Sequence, residues 1–221
     1  MEKVLFSWSG GKDSAMALHE MLANKQYQVD ALLTTVTEDY DRISMHGVRR
    51  ILLERQAEAL GIPLEIVLIS RQASNEEYET QMEQTLTKYK ELGVASVAFG
   101  DIFLEDLREY REKNLARLEM IGVFPIWKRD TGELMRSFIE LHFKAVTVCV
   151  DTQKLDRRFA GRTIDGKFMD DFPKTAEVGG ENGEYHSFVY DGPIFKHAVS
   201  HTLGEKVLRE NRFYYCDLIP A

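Results

Sequence analysis

Residues 6–16 read FSWSGGKDSAM, and the fold turns on how this stretch is understood. The apolar run Val4–Trp8 has the composition of a buried strand, and an amphipathic helix, Ser14–Ala23, follows at once. Between them stand two hydroxyls, two adjacent glycines, a lysine and an aspartate. A helix N-terminus offers free N–H groups and the positive end of the helix dipole, so it attracts anions. Gly10 and Gly11 let the backbone turn tightly and approach an anion without a Cβ in the way. Ser9 and Ser14 add hydroxyl donors, Lys12 adds charge, and Asp13 either caps the helix or helps to hold Mg2+. A phosphate-binding loop is the reading. It is not Walker A, whose first glycine would fall at Phe6 and whose Ser/Thr is replaced by Asp13. The dinucleotide fingerprint fails too, because the glycines are adjacent.

Working outward, the same alternation continues. Val29–Val36, Leu64–Ser70 and Ser96–Asp101 read as further strands, near-continuous in apolar residues as in a parallel sheet buried on both faces. Val48–Leu60, Glu76–Leu92 and Glu105–Ile121 read as the helices between them, each followed by a glycine suited to a C-cap, at Gly61, Gly93 and Gly122. Ser74-Asn75-Glu76-Glu77 has capping-box spacing. Strand–helix alternation predicts an α/β fold with a doubly wound parallel sheet and a ligand crevice at the carboxyl ends of its strands. After Asp130 the rhythm changes to a helix, Leu134–His142, a strand, Ala145–Asp151, and a polar, turn-rich segment. The predicted organisation is an α/β domain carrying the phosphate-binding loop over residues 1–131 and a smaller α+β domain over 132–221.

The totals narrow the class. A chain of 221 residues with 44% hydrophobic and 29% charged residues can bury a core without disulfides or structural metals. Its start lacks a basic region followed by an apolar stretch and cleavage site, and no run reaches the roughly 20 residues of a membrane span. A cytoplasmic protein with no membrane partner is expected. The two cysteines, Cys149 and Cys216, have no metal-ligand or redox spacing. A net charge of −8 argues against generic nucleic-acid binding, which needs clustered Lys and Arg.

Three further segments carry chemistry. Phe99-Gly100-Asp101-Ile102 ends a strand, where Asp101 is a candidate catalytic or Mg2+ carboxylate facing the crevice. Ser44-Met45-His46-Gly47-Val48-Arg49 follows the second strand and offers His46 or Arg49 as a substrate or phosphate contact. Gly180-Glu181-Asn182-Gly183-Glu184-Tyr185-His186-Ser187 packs two carboxylates, a histidine and a hydroxyl between glycines, more than a plain turn needs. Glu184 and His186 would share a strand face and Glu181 would not, which disfavours a metal set.

The loop SGGKDS, residues 9–14, resembles the pyrophosphate loop of the N-type ATP pyrophosphatases, a superfamily with GMP, NAD and asparagine synthetases and tRNA-thiolating enzymes. With GENGEYHSFVYDGPIF (180–195) and Pro125-Ile126-Trp127-Lys128, the chain is similar over most of its length to the diphthine–ammonia ligase family. One departure is Val178-Gly179-Gly180, where an Asp-Pro-Cys/Ala-Gly lead-in is expected. The resemblance implies a PP-loop fold and an AMP-forming, carbon–nitrogen ligase using ATP and Mg2+. ATP breaks between its α and β phosphates, a carboxylate is adenylated, and ammonia displaces AMP. The acceptor is diphthine on elongation factor 2, or a small carboxylate in a bacterial member, since bacteria lack that modification.

Ser9, Gly10, Gly11, Lys12, Asp13, Ser14 and Gly100 would bind the nucleotide phosphates, with Thr35 and Val36 near the adenine and His46 at the substrate edge. Lys12, Asp101, Glu181, Glu184 and His186 would be catalytic, and Asp13 and Asp101 would hold the metal. No N-terminal cysteine nucleophile or glutaminase domain is recognisable, so ammonia is expected from solution or a partner; a homodimer is a further expectation. Two alternatives stay open, adenylation and thiolation of a tRNA base, and a regulatory module that binds nucleotide without turnover.

Overall fold

A computed structural model describes residues 1–43 and 46–221. The first elements are β1 (Glu2–Ser7), α1 (Lys12–Ala23), β2 (Tyr27–Thr37), β3 (Arg42–Ile43), α2 (Arg50–Leu60), β4 (Leu64–Ile69), α3 (Asn75–Glu91) and β5 (Ser96–Ala98). There follow α4 (Glu105–Ala116), β6 (Ile121–Val123), α5 (Thr131–Glu140), β7 (Lys144–Asp151), α6 (Gly166–Asp171), β8 (Tyr185–Asp191), β9 (His201–Arg209) and β10 (Phe213–Pro220). They form two compact bodies. One comprises Met1–Ser9, Asp13–Asp41 and Ile62–Lys128; the other comprises Gly10–Lys12, Arg42–Gly61 and Arg129–Ala221. No composition shift in the sequence marks the two short insertions into the second body. Among the described residues, no helix is long and apolar enough to cross a membrane.

In the first body, β1 pairs in parallel with β2 and β5, β4 joins β2, and β6 joins β5. Counted among these five strands in chain order, the spatial order is 3-2-1-4-5, that of a doubly wound sheet. The order reverses between β1 and β5, the switch point where ligands of such sheets bind, and Trp8 and Phe99 leave the sheet there. Val4, Leu5 and Phe6 have no exposed surface although successive side chains point to opposite faces, so β1 is covered on both sides. Leu86 and Tyr89 of α3 and Leu115 of α4 pack with Leu5, Leu33, Val67 and Val97 in one core. Ser74 caps α3 with its side chain on the Glu77 amide, and the Glu77 carboxylate returns a bond to Ser74.

One expected helix end is corrected. Gly61 does close α2 in the left-handed region, with φ 70°, but Gly122 caps nothing. Helix α4 stops at Ala116, and Glu119, at φ 54°, takes the left-handed position while the Met120 amide bonds back to the Leu115 carbonyl. That frees Ile121–Val123 to pair with Ser96–Ala98 as a strand. The parallel partner outweighs the glycine signal.

The second body is built on an antiparallel sheet in the order β8-β7-β10-β9. The segment expected to be merely polar and turn-rich supplies much of its core. Phe159, Phe168 and Phe172 are buried and pack on one another, and the last two also meet Tyr185, with ring centroids 5.4–5.9 Å apart. Asp165 starts α6 by accepting the Phe168 amide. Arg212 clamps the buried carboxylate of Asp151, the closest contact being 2.6 Å. Cys149 and Cys216 are free and buried, and burial pushes the Cys149 thiol up to about 11, which leaves it unreactive.

Gly100 sets the spacing between β5 and α1. A Cβ there would sit 2.9 Å from the Ser14 amide nitrogen and 3.0 Å from the Asp13 carbonyl carbon, both fixed backbone. Gly100→Ala should therefore destabilise the protein by about 1–3 kcal/mol, read from the urea midpoint; unchanged stability would mean that this contact relaxes freely.

Candidate functional site

The first body holds the start and end of the loop. The Trp8 amide donates to the Leu33 carbonyl at 2.9 Å, and the Thr34 hydroxyl donates to the Trp8 carbonyl at 2.6 Å, so the exit of β1 is tied to β2. Ser9 and Ser14, on either side of the glycines, bring their hydroxyls to 3.0 Å. Asp13 lies in the first turn of α1. Both oxygens of Asp101 accept from Arg111, at 2.6 and 3.2 Å, and the Arg111 guanidinium lies 4.3 Å from the Phe99 ring centre. On β2, Thr35 is partly exposed whereas the Val36 side chain is buried.

The second body includes the centre of the loop, Gly10–Lys12, alongside β8 and α2. The Gly10 carbonyl accepts from the Val189 amide at 2.9 Å and from Gln56 Nε2 at 3.1 Å. Gln56, fully buried, also donates to the Val189 carbonyl at 2.6 Å. Gly10 has φ 76°, and a Cβ there would meet Gln56 Oε1 at 2.6 Å, so the left-handed turn and the lack of space both call for glycine. Two residues on, the Lys12 amide donates to Ser187 Oγ at 3.1 Å. The Lys12 side chain is only 4% exposed. Its ammonium stands 3.5 Å from Glu181 and 5.6 Å from the Tyr185 ring centre, so a carboxylate and an aromatic face share the charge.

Residues 177–184 show what the glycines and glutamates do locally. The Glu177 carboxylate accepts the amides of Gly179 and Glu181, each at 2.8 Å. Buried Glu184 accepts the amides of Glu177 and Asn182 at 3.1 and 3.0 Å. Gly180 and Gly183 take positive φ, so the chain curls round these two carboxylates. Carboxylates bonded to several backbone N–H groups hold a loop rigidly. His186 follows at the start of β8, its ring centre 4.7 Å from that of His46.

His46 sits in a closed loop; Ser44 and Met45 lie outside the described residues. Ile43 donates to the Val48 carbonyl, Gly47 donates to the Ile43 carbonyl, and Arg42 reaches the Gly47 carbonyl at 2.6 Å. Arg42 and Arg49 converge on Asp217 at 2.8 and 2.6 Å, so the guanidinium of Arg49 is committed to this staple. Burial, then the neighbouring His186, with Lys12 adding to them, hold His46 down to about 3 against a hydrogen bond to the Ser187 backbone.

Two family models match this arrangement end to end. The diphthamide synthase N-terminal domain covers residues 2–121, and the C-terminal domain of the same synthase covers residues 130–217. The chain belongs to the diphthamide synthase family. It is similar to proteins named diphthine–ammonia ligase from mouse (27% identical, 90% of this chain and 83% of that protein) and human (26%, 86% and 79%). A fission yeast protein of that name is 26% identical over 92% of this chain, which spans 38% of its length.

Within this diphthamide synthase-family chain, each body gathers part of the predicted set. Ser9, Asp13, Ser14, Gly100 and Asp101 meet at the switch point of the parallel sheet; Gly10, Lys12, Glu181, His46 and His186 meet beside β8. Sequence reasoning missed Gln56, Tyr185 and Arg111, and it read Ser187 only as the hydroxyl of the 180–187 segment. Gln56 had a visible signal, a polar residue on the stripe Leu52, Leu53, Ala57, Leu60 that faces inward. Arg111 had none, and nothing in the sequence ties the Ser187 hydroxyl to Lys12, 175 residues away.

Gln56→Leu fills the space but leaves the Val189 carbonyl without its donor. We expect a loss of about 1–3 kcal/mol in the denaturation midpoint; equal stability would mean the carbonyl finds another donor. Burial pushes the Asp217 carboxyl up, but hydrogen bonds from Arg49 and Arg42 outweigh it and hold the group below its ordinary value. Its contribution to stability is thus present above the unfolded carboxyl's value, about 3.9, and lost as pH falls through the lower folded value. Asp217→Asn should destabilise at neutral pH and narrow its gap to wild type in acid; a constant gap would contradict this.

Proposed function

We propose that this chain is an ATP-dependent amide-forming ligase acting on a carboxylate, with diphthine as the acceptor that the names of its relatives indicate. A carboxylate oxygen attacks the α-phosphorus of ATP, and the bond to the bridging oxygen of pyrophosphate breaks. Ammonia then attacks the acyl carbon, the acyl–oxygen bond to AMP breaks, and the nitrogen loses a proton to give the amide. The observation that carries this reading is Lys12, a buried ammonium at a helix start within the glycine turn. Buried and anchored through its amide to Ser187, it is preorganised for the charge that grows on pyrophosphate. Ser9, Gly10, Gly11 and Ser14 complete the donor set.

Glu181 keeps the Lys12 ammonium in place before ATP arrives, and Glu184 shapes the loop that presents Glu181 and His186 to the acceptor. Thr35, rather than the buried side chain of Val36, contacts the adenine. Among the described residues no group of three or more His, Cys, Asp or Glu forms a metal cage. Mg2+ needs no such cage, being held by one or two carboxylates and the phosphates themselves. Asp101 has acceptor sites beyond the two that Arg111 uses and would hold the ion with Asp13; the ion would neutralise charge on the triphosphate. A cytoplasmic setting, where ATP and an elongation factor would meet, belongs to this reading.

The test is α-labelled ATP with Mg2+ and ammonium, with and without diphthine-bearing elongation factor 2 or small carboxylates. AMP and pyrophosphate without ADP, dependent on an acceptor, is the expected result; nucleotide binding with no AMP under any condition would leave a binding module instead. Lys12→Ala should raise the barrier to AMP formation by about 3–4 kcal/mol, and full activity in that variant would remove the loop from the mechanism.

A further inference from the structure

Strand β9 (His201–Arg209) lies at the edge of the antiparallel sheet, with β10 on one side and no strand on the other among the described residues. A bare strand edge shows a row of backbone donors and acceptors ready to pair with another chain, and proteins blunt such edges with proline, with lysine or by covering them. Strand β9 has no proline, and its one lysine, Lys206, sends its ammonium to the Ala160 carbonyl of the same body at 2.6 Å. Apolar side chains stand in the open: Leu203 is 50%, Val207 37% and Leu208 49% exposed. Glu205 and Arg209 are exposed as well, and neither joins an ion pair among the described residues. The ladder to β10 slips between Leu203 and Lys206, which leaves Lys206–Arg209 as the regular stretch with Glu205 at its end.

What pairs best with this edge follows from its own order of residues. Two identical edges related by a two-fold axis run antiparallel, and the axis passes through a residue, so that opposed side chains share a face. Glu205, Val207 and Arg209 alternate onto one face. An axis at Val207 sets Glu205 of each copy against Arg209 of the other, with the two valines face to face between them. Moved to Lys206 or Glu205, the axis opposes like charges. Moved to Leu208, it runs into the turn at Glu210 and Asn211, whose φ values of 53° and 51° leave the strand. Further back, the slip before Lys206 breaks the ladder. We propose that β9 is the interface for a second copy of this chain, paired antiparallel about Val207, so that the two four-stranded sheets become one. This inference stands independently of the ligase reading.

Charge reversal in the whole chain tests both the surface and the register. Sedimentation equilibrium over a wide range of concentration should show a monomer–dimer equilibrium. Glu205→Arg and Arg209→Glu each oppose like charges at both ends of the ladder, and each should weaken dimerisation by about tenfold or more. Circular dichroism checks that each variant is folded. Mixed in equal amounts, the two variants should form a heterodimer, because each reversed charge then meets its opposite. The double reversal, Glu205→Arg with Arg209→Glu, should restore the homodimer. Val207→Lys, which sets two ammonium groups on the axis, should abolish dimerisation and reads the same register through a different residue. A chain that stays monomeric at every concentration overturns the proposal, as does a dimer indifferent to all three single substitutions. Weakened reversal variants that fail to pair when mixed overturn the axis at Val207.

Discussion

The hydrogen bond from the Val189 amide to the Gly10 carbonyl is 2.9 Å long, and the arrangement of the loop follows from it. Gly10 must be left-handed to present that carbonyl, and no side chain fits there because Gln56 occupies the space and bonds to the same oxygen. Once residue 10 is in step with residue 189, residue 12 falls in step with residue 187, and the Lys12 amide finds the Ser187 hydroxyl. The Lys12 side chain is then drawn under Tyr185 and towards Glu181. A lysine is otherwise a flexible, strongly hydrated charge; here its position is settled before any ligand binds.

The same economy runs through the glutamates. Glu177 and Glu184 spend their acceptors on backbone amides of one short loop, which fixes the course of that loop. Glu181 is the carboxylate left beside the lysine. Glu177 and Glu184 thus shape the backbone on which Glu181 is carried. In the first body Arg111 plays the corresponding part, holding Asp101 in one orientation while its guanidinium stacks on Phe99. Site carboxylates gain fixed geometry from neighbours that do not themselves react.

Much of this was legible from residue order. Near-continuous apolar runs at Val4–Trp8 and Val29–Val36 announced a parallel sheet, and the glycine pair after the first of them announced the tight turn into α1. Local patterns were misread where a distant partner outbid them: Ile121–Val123 reads as a helix end, yet β5 supplies a ladder for it. Likewise Phe159, Phe168 and Phe172, scattered in a polar segment, look incidental until they are seen to pack on one another, with Tyr185 against the last two. The domain reading could not anticipate that Gly10–Lys12 and Arg42–Gly61 would be counted with the C-terminal residues.

By itself the sequence determined the type of fold, the place of the strand–loop–helix turn at Ser9–Ser14 and the family resemblance, because periodicity, glycine and helix capping act over a few residues. Only the tertiary structure decided that Gln56 holds Gly10, that Ser187 holds Lys12, that Asp217 staples the His46 loop, and that Glu184 is turned inward. Each of those depends on contacts between residues far apart in the chain, such as the 175 positions separating Lys12 from Ser187, and no local propensity encodes them.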